Sequence, residues 1–249
     1  MDLVIDVGNT KVKYALFNES KKLIVSKAES HQLFKKQLDH IFEAYPKIQN
    51  SIVSASGKVD INWLSLLNKN TNCIEFSHKT AIPIQNQYQT KHSLGVDRIA
   101  LAVAANFIYP KKNCLIVDLG TCITYDFILQ SGVYLGGAIS AGIDMRFKAM
   151  HNFTEKLPLI TMLDRIPQNY IGQTTEESLK IGVFQAVVHE IEGFYNQYIA
   201  DYKDLTLVLT GGNAQVLAER VKNSIFANSN FQLFGLHQIL IYNSNAHKK

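Results

Sequence analysis

A short acidic motif at the end of an apolar strand occurs twice, and it constrains the fold of this chain more than any other feature. The first copy lies in L-V-I-D-V-G-N-T, where Asp6 ends an apolar run and Gly8 follows two residues later. The second copy, C-L-I-V-D-L-G-T, places Asp118 and Gly120 in the same way. A second apolar run, a turn and a third run follow each copy, which predicts a repeated unit of three strands.

The spacing of the two copies predicts two similar domains. The acids lie 112 residues apart (118 − 6 = 112), which is too long for a solenoid repeat. A chain of 249 residues with 47% hydrophobic content can bury two modest cores. The polar segment P-K-K-N marks the boundary, giving an N-terminal domain over 1–112 and a C-terminal domain over 113–249. We expect the two domains to face each other across a cleft.

Helical spacing appears between the strands. H-Q-L-F-K-K-Q-L-D-H-I-F-E-A-Y carries apolar side chains on one helix face, namely Phe34, Leu38, Ile41, Phe42 and Tyr45. D-R-I-A-L-A-V-A-A-N-F-I-Y-P is almost entirely apolar, which predicts a buried helix that Pro110 ends. A third helix is expected after G-Q-T-T-E-E-S-L, where Thr174 and Glu177 fit a capping box.

Composition argues against several classes of protein. The formal net charge is +4 and the lysines are scattered, so a nucleic-acid-binding surface is not indicated. Three cysteines without C-x-x-C spacing argue against a disulfide framework or a zinc site. No apolar run approaches the roughly 20 residues of a membrane span, and no signal segment precedes the first strand. We therefore expect a cytoplasmic protein that does not bind membranes.

The two acidic bends suggest phosphate binding. A hairpin bend with Gly and Thr offers backbone N–H groups and a hydroxyl, which bind phosphate oxygens. A carboxylate beside phosphate requires a cation between them, and Mg²⁺ is usually held by one or two carboxylates plus substrate phosphates. A single copy is better explained as an ordinary tight turn. Two copies at equivalent places favour a site for a nucleoside triphosphate and its metal.

These motifs also carry a family resemblance. D-V-G-N-T-K-V-K-Y-A-L-F, D-L-G-T and L-T-G-G resemble the two phosphate motifs and the adenosine motif of the superfamily of acetate and sugar kinases, Hsp70 and actin. S-L-G-V-D-R, over Ser93–Arg98, is similar to the G-x-D-R motif of type III pantothenate kinases. Y-L-G-G-A-I-S, G-Q-T-T-E-E-S and T-G-G-N-A match that family in the same order, so the resemblance extends from Asp6 to about Ala214.

The resemblance implies a fold and an activity. The fold would be α/β, with two ribonuclease H-like (actin-like ATPase) domains whose mixed sheets are flanked by helices. The activity would be transfer of the ATP γ-phosphoryl group to the primary hydroxyl of pantothenate, giving 4′-phosphopantothenate in the first step of coenzyme A biosynthesis. The substrates would be ATP and pantothenate, with Mg²⁺ and a monovalent cation (K⁺ or NH₄⁺), and the enzyme would be a homodimer.

Residue roles carry over at matching positions. The positions implied to bind ATP are Asp6, Val7, Gly8, Asn9, Thr10, Lys11, Val12, Lys13 and Thr121. Those implied to line the pantothenate pocket are Tyr88, Gly95, Val96, Asp97, Arg98 and Thr175. Within these sets, Asp97 would accept the hydroxyl proton, Arg98 would pair with the substrate carboxylate, and Asp6 would hold Mg²⁺. Asp118 would bind the monovalent cation, and Gly211 and Gly212 would let adenine approach the backbone.

Simpler interpretations of several positions remain open. Asp97 and Arg98 also fit a helix cap followed by a surface arginine, and Lys13 fits a solvated strand position. Tyr88 also fits a half-buried loop aromatic, and Thr175 a helix cap shared with Thr174.

One position departs from the family. Its glycine-rich segment reads G-G-x-I-x-P-G, whereas Ala141 stands here in place of the proline, which predicts a looser loop.

Two alternative functions also remain, namely another small-molecule kinase or phosphatase of the same fold and a non-catalytic nucleotide-binding regulator.

Overall fold

The computed structural model describes residues 1–55, 59–161, 167–226 and 230–246 of the chain. They form two compact units, each built on a β-sheet. The first unit comprises Met1–Pro110, Gly132–Tyr134 and Asn230–Lys249, and the second comprises Lys111–Ser131 and Leu135–Ser229. The described helices are α1 (His31–Ala44), α2 (Ile61–Asn70), α3 (Val96–Ile108), α4 (Ile143–Asn152), α5 (Thr175–Asp201), α6 (Ala214–Ala218) and α7 (Phe231–Ala246), with a 3₁₀ turn at Lys91–Ser93.

The sheet of the first unit has the order β3-β2-β1-β4-β5. Its strands are β1 (Asp2–Val7), β2 (Val12–Phe17), β3 (Leu23–Glu29), β4 (Asn50–Ala55) and β5 (Asn72–Glu75). The first three strands form an antiparallel meander, and β4 and β5 run parallel to β1. Because β1 is central and parallel to β4, its carboxyl end, with Asp6, lies at the edge where α/β folds usually bind ligands.

The second sheet repeats this arrangement. Its strands are β7 (Asn113–Leu119), β8 (Cys122–Ile128), β9 (Val133–Ala141), β10 (Leu205–Thr210) and β11 (Ser224–Phe226), and β6 (Gln85–Asn86) pairs with the first residues of β9. The order is β11-β10-β7-β8-β9-β6, with β8 antiparallel to β7 and with β10 and β11 parallel to it. The predicted strand repeat is thus confirmed, since β7, β8, β9, β10 and β11 correspond to β1, β2, β3, β4 and β5.

Predicted helix faces are confirmed by burial. On α1, Phe34, Leu38 and Ile41 are buried in the core of the first unit, and Phe42 and Tyr45 pack partly buried against the same core. On α3, all residues from Arg98 to Ala105 are buried. A helix that is apolar on every side is expected to lie between other elements.

The C-terminal helix α7, which sequence reasoning did not predict, packs against α3 and against β1 and β4. A side chain at Gly235 would overlap the carbonyl oxygen of Ala100, so the two helix backbones are in close contact. This packing places residues from Asn230 onward in the first unit. The predicted division into 1–112 and 113–249 therefore differs from the compact units at 111–112, at Gly132–Tyr134 and from Asn230 onward. None of the described helices is long and apolar enough to cross a membrane.

Candidate active site

The first acidic bend joins β1 to β2. Asp6 lies opposite Lys13 in the antiparallel ladder, and the N–H of Gly8 donates a hydrogen bond of 3.0 Å to the carbonyl of Lys11. Asn9, Thr10 and Lys11 form the exposed tip, whereas Lys13 is half-buried. The exposed tip suits contact with a ligand, and the partial burial of Lys13 does not fit a fully solvated strand position.

Two side chains that the sequence did not indicate support this bend. The amide Nε2 of Gln232, in the first turn of α7, donates to Oδ1 of Asp6 over 2.9 Å. The ring Nε2 of His31, at the start of α1, lies 3.0 Å from the carbonyl oxygen of Gly8. A carboxylate held by a neutral donor keeps its orientation without losing its charge. No local pattern could have linked Gln232 to Asp6 because 226 residues separate them.

The second bend joins β7 to β8 in a similar arrangement with one residue fewer. Asp118 lies opposite Thr124, six positions later, whereas Asp6 lies opposite Lys13, seven positions later. The N–H of Gly120 donates to the carbonyl of Cys122 over 3.1 Å, and the neighbouring Thr121 is exposed. The difference in length corresponds to Asn9, which D-V-G-N-T contains and D-L-G-T lacks.

The turn after β10 lies directly against the second bend. Gly211 has φ +97°, and a Cβ there would overlap the carboxylate of Asp118 and lie 2.6 Å from the backbone N of Leu119. The N–H of Asn213 donates to the carbonyl of Leu119 over 3.1 Å. Glycine is therefore required at position 211 for both conformation and space. A Cβ at Gly212 would meet no atom within 4 Å, so this position leaves room beside the backbone.

The G-V-D-R motif forms the start of α3. Gly95 is the N-cap, and Asp97 lies in the first turn, where helix N-termini stabilise negative charge. Oδ1 of Asp97 accepts a hydrogen bond of 2.9 Å from the backbone N–H of Arg98. A side chain at Gly95 would overlap this carboxylate oxygen. The glycine thus allows a half-buried carboxylate to lie over the beginning of the helix.

Arg98 and Tyr88 are brought together in the first unit. Arg98 is 5% exposed, and its guanidinium carbon lies 5.8 Å from the centroid of the Tyr88 ring. The ring centroids of Tyr88 and the buried Tyr134 lie 6.5 Å apart. The interpretation of Arg98 as a surface residue is excluded by its burial. Tyr88 is half-buried, which both interpretations of this residue allow.

Thr174 and Thr175 occupy different positions at the N-terminus of α5. Thr174 is the N-cap, and its hydroxyl accepts a hydrogen bond of 3.2 Å from the N–H of Glu177. The carboxylate of Glu177 accepts from the N–H of Gln173 over 2.9 Å, which nearly reproduces the predicted capping box. Thr175 is the first helical residue and is exposed, so it is not the cap. Its role toward substrate stays a prediction.

The predicted site residues divide between the two units. The first bend, Tyr88 and the G-V-D-R segment belong to the first unit, whereas Asp118, Thr121 and Thr175 belong to the second. Among the described residues, no group of three or more His, Cys, Asp or Glu side chains could hold a metal ion by itself. A metal at Asp6 would therefore take its other ligands from substrate and water, as is usual for Mg²⁺ on phosphates.

Comparison with solved structures confirms the predicted fold class. A glucokinase from an Antarctic psychrotroph covers 97% of this chain and 98% of its own, with a TM-score of 0.56 at 13% identity. A Campylobacter jejuni protein described as a candidate Baf family transcriptional activator is 25% identical, with a TM-score of 0.59 and coverage of 98% and 99%. The two α/β units thus have the fold shared by sugar kinases and actin-like ATPases.

Sequence comparison gives the family. The family model for type III pantothenate kinase matches residues 2–197. The type III pantothenate kinase of Flavobacterium johnsoniae is 42% identical over 242 residues, covering 97% of this chain and 98% of the relative. That of Phocaeicola vulgatus is 37% identical over 243 residues, with coverage of 98% and 99%. Because the match is nearly full-length and agrees with the ordered motifs, the chain belongs to the type III pantothenate kinase family.

Proposed function

We propose that this chain phosphorylates the primary hydroxyl of pantothenate with ATP, giving 4′-phosphopantothenate in the first step of coenzyme A biosynthesis. The observation that carries the proposal is the G-V-D-R segment, where Gly95 makes room for the Asp97 carboxylate and the buried Arg98 lies against Tyr88. Membership of the family supports the choice of substrate. Phosphoryl transfer needs positioning, charge neutralisation and an acceptor for the hydroxyl proton, and this chain offers a residue for each.

In this proposal, Asp97 accepts the proton of the attacking hydroxyl. The N-terminus of α3 and the hydrogen bond from the Arg98 N–H both favour the ionised carboxylate, which is the form that acts as a base. Val96 and Gly95 shape the backbone beside it. The carboxylate is half-buried, so it remains accessible to a small substrate.

Arg98 is assigned to the carboxylate of pantothenate. Its planar guanidinium can donate two parallel hydrogen bonds to a carboxylate, and burial strengthens such charge-assisted bonds. Tyr88 would provide an apolar wall beside it, since its ring already lies near the guanidinium. Thr175 is retained as a further substrate contact on the strength of the family motif.

The two acidic bends are assigned to ATP. The first bend, from Asp6 to Lys13, would surround phosphate oxygens with its exposed tip, and Thr121 would contact ATP from the second bend. Mg²⁺ fits Asp6, because this strand-end carboxylate is half-buried and oriented by Gln232. When bound, the metal neutralises phosphate charge, while the protein keeps the Asp6 carboxylate in place.

Asp118 is assigned to a monovalent cation. Its strand-end carboxylate lies beside the close-packed backbone of Gly211, and carboxylate oxygens are suitable ligands for such a cation. K⁺ or NH₄⁺ here would offset repulsion between the carboxylate and the phosphates.

Potassium dependence provides a test of this assignment. We expect K⁺ or NH₄⁺ to activate the enzyme and Asp118→Ala to abolish the activation, because the carboxylate that holds the cation is gone. The measurement is turnover in buffers that contain only K⁺, NH₄⁺ or Na⁺. Equal activity in Na⁺ alone and in K⁺ would contradict the assignment.

The proposal also covers the oligomeric state of the chain and its cellular compartment. We assign the chain to a homodimer in the cytoplasm on the basis of its family. Light scattering during size-exclusion chromatography tests the dimer, and a monomer at micromolar concentration would overturn it.

A coupled ADP-release assay with and without pantothenate tests the function itself. We expect ADP formation that depends on pantothenate, with one phosphopantothenate formed for each ADP. ADP formation that is independent of pantothenate would instead indicate another phosphotransferase or phosphatase of this fold. No ADP under any K⁺ or NH₄⁺ condition would indicate a non-catalytic regulator.

A further inference from the structure

The turn between β9 and α4 lies on the second acidic bend. Gly142 is the N-cap of α4, and it is buried. A Cβ at this position would overlap the carbonyl oxygen of Thr121 and lie 2.6 Å from that of Gly120. The two backbones are thus in direct contact. A displacement of the β9–α4 turn would therefore displace the bend that carries Thr121.

One side chain ties this turn to the rest of the second unit. Arg146, in α4, donates from Nε to the carbonyl of Ala141 over 2.8 Å and from Nη2 to the hydroxyl of Ser140 over 3.0 Å. The same Nη2 forms an ion pair with Glu190 of α5. Through these three contacts, the guanidinium of Arg146 connects the end of β9 to α5.

The acidic partner of Arg146 is itself fixed. The hydroxyl of Tyr125, a fully buried residue of β8, donates to Oε1 of Glu190 over 2.7 Å. Burial alone would raise the pKa of Glu190, but hydrogen bonds from Arg146 and Tyr125 outweigh it and lower the pKa. The side chains of Arg146 and Glu190 are only 19% and 23% exposed, so water screens their attraction weakly.

We propose that Arg146, anchored by Glu190 and Tyr125, is a positioning residue that holds the β9–α4 turn against the Gly120–Thr121 bend and so sets the geometry of ATP binding. The inference rests on the proposed function, in which Thr121 contacts ATP. It also bears on the alanine at position 141. A proline would restrain this turn through its ring, whereas here the carbonyl of Ala141 is restrained by the guanidinium.

Arg146→Gln tests the inference, because it removes the ion pair and the forked contacts. Arg220→Gln is the matched control, since Arg220 also donates to a backbone carbonyl in this unit, that of Pro167, over 3.0 Å. Binding of a non-hydrolysable Mg·ATP analogue to the full chain is measured by calorimetry without pantothenate. We expect affinity to fall by about 10- to 100-fold in Arg146→Gln and to stay within about twofold of wild type in Arg220→Gln.

Steady-state kinetics and a conservative variant separate positioning from stability. We expect KM for ATP to rise in Arg146→Gln while KM for pantothenate is unchanged, and Arg146→Lys to recover part of the nucleotide affinity because it keeps the charge. If Arg146→Gln does not fold, Glu190→Gln replaces it, with a fall in affinity of about threefold expected because only the charge is lost.

A folded Arg146→Gln protein with wild-type nucleotide affinity would overturn the inference while leaving the proposed function intact. Conversely, a wild-type chain that binds the ATP analogue and does not phosphorylate pantothenate would overturn the proposed function. The calorimetric comparison would then still decide the role of Arg146.

Discussion

Replacing Asp97 with asparagine is expected to lower kcat by about 10²–10⁴-fold, because a positioned general base typically contributes that much. Asparagine has nearly the same shape and can still accept the hydrogen bond from the Arg98 N–H, but it cannot take up a proton. We therefore expect normal folding and normal nucleotide affinity. Turnover by the coupled ADP assay and affinity by calorimetry are the two measurements.

The chain provides a matched control for this substitution. Gly142, Ile143 and Asp144 begin α4 as Gly95, Val96 and Asp97 begin α3, with glycine as the N-cap and aspartate in the first turn. Asp144→Asn removes the same charge from an equivalent helix position. It should change kcat by less than about threefold, since Asp144 has no part in proton transfer in the proposed function and its charge stabilises the helix by only about 0.3–1 kcal/mol. Near-wild-type turnover in Asp97→Asn would remove Asp97 from its proposed role.

The second large effect is expected on stability, from a buried network that links β1 to α7. Oδ2 of Asp2 accepts hydrogen bonds of 3.0 Å from both His237 and Lys21, and Oδ1 accepts one of 2.9 Å from Asn50. Asp2 is 3% exposed and His237 is 1% exposed, and the His237 ring stacks on Phe17 with centroids 3.7 Å apart. This carboxylate thus satisfies three donors at one place in the core.

Asp2→Ala is expected to lower the free energy of unfolding by about 3–5 kcal/mol, since it leaves the His237 and Asn50 donors without an acceptor, at about 1–3 kcal/mol each, and removes the Lys21 ion pair. Denaturant titration measures the change. Lys21→Ala is the control, because the Lys21 side chain is 48% exposed and an exposed charge pair contributes about 1 kcal/mol or less. A loss below 1 kcal/mol in Asp2→Ala would show that the network does not hold α7 in place.

The same network predicts that stability falls on acidification. Burial raises the pKa of Asp2, but hydrogen bonds from His237, Asn50 and Lys21 outweigh it and hold the pKa well below the ordinary 3.8. The stability that the ionised Asp2 carboxylate contributes to the fold is therefore present above about pH 4 and is lost as the pH falls below it. Burial also lowers the pKa of His237 from 6.5, so the unfolded chain takes up a proton first as the pH falls through 6.5. The free energy of unfolding therefore begins to fall below pH 6.5. Denaturant titration at several pH values should show that Asp2→Ala weakens the dependence of the free energy of unfolding on pH below about pH 4.

Local sequence patterns predicted most of the fold because the relevant interactions are local. Apolar runs of six or seven residues that end at glycine specified β1, β7 and β10, and the capping residues specified the start of α5. The repeat of the acidic bend predicted that a unit of three strands occurs twice, and each sheet contains one such unit. By contrast, α7 was missed because its apolar residues follow no single face and its partners lie on α3 and β1.

The candidate site was likewise predicted only in part from the sequence. Its carboxylates could be predicted from sequence because each ends an apolar strand or begins a helix within a short motif. The groups that orient the site could not, because they come from remote segments. Gln232 reaches Asp6 across 226 residues, and Arg146 pairs with Glu190 across 44. Neither contact leaves a periodic or local signal in the chain.

The sequence by itself determined the strand repeat, the two acidic bends and the helix that presents Asp97, since strand propensity, glycine turns and helix caps act over a few residues. Only the tertiary structure decided which unit α7 joins, that Arg98 is buried, and which side chains hold Asp6 and the β9–α4 turn in place. Those outcomes depend on packing and on the hydrogen bonds that buried polar groups require, and both are settled only when distant segments meet.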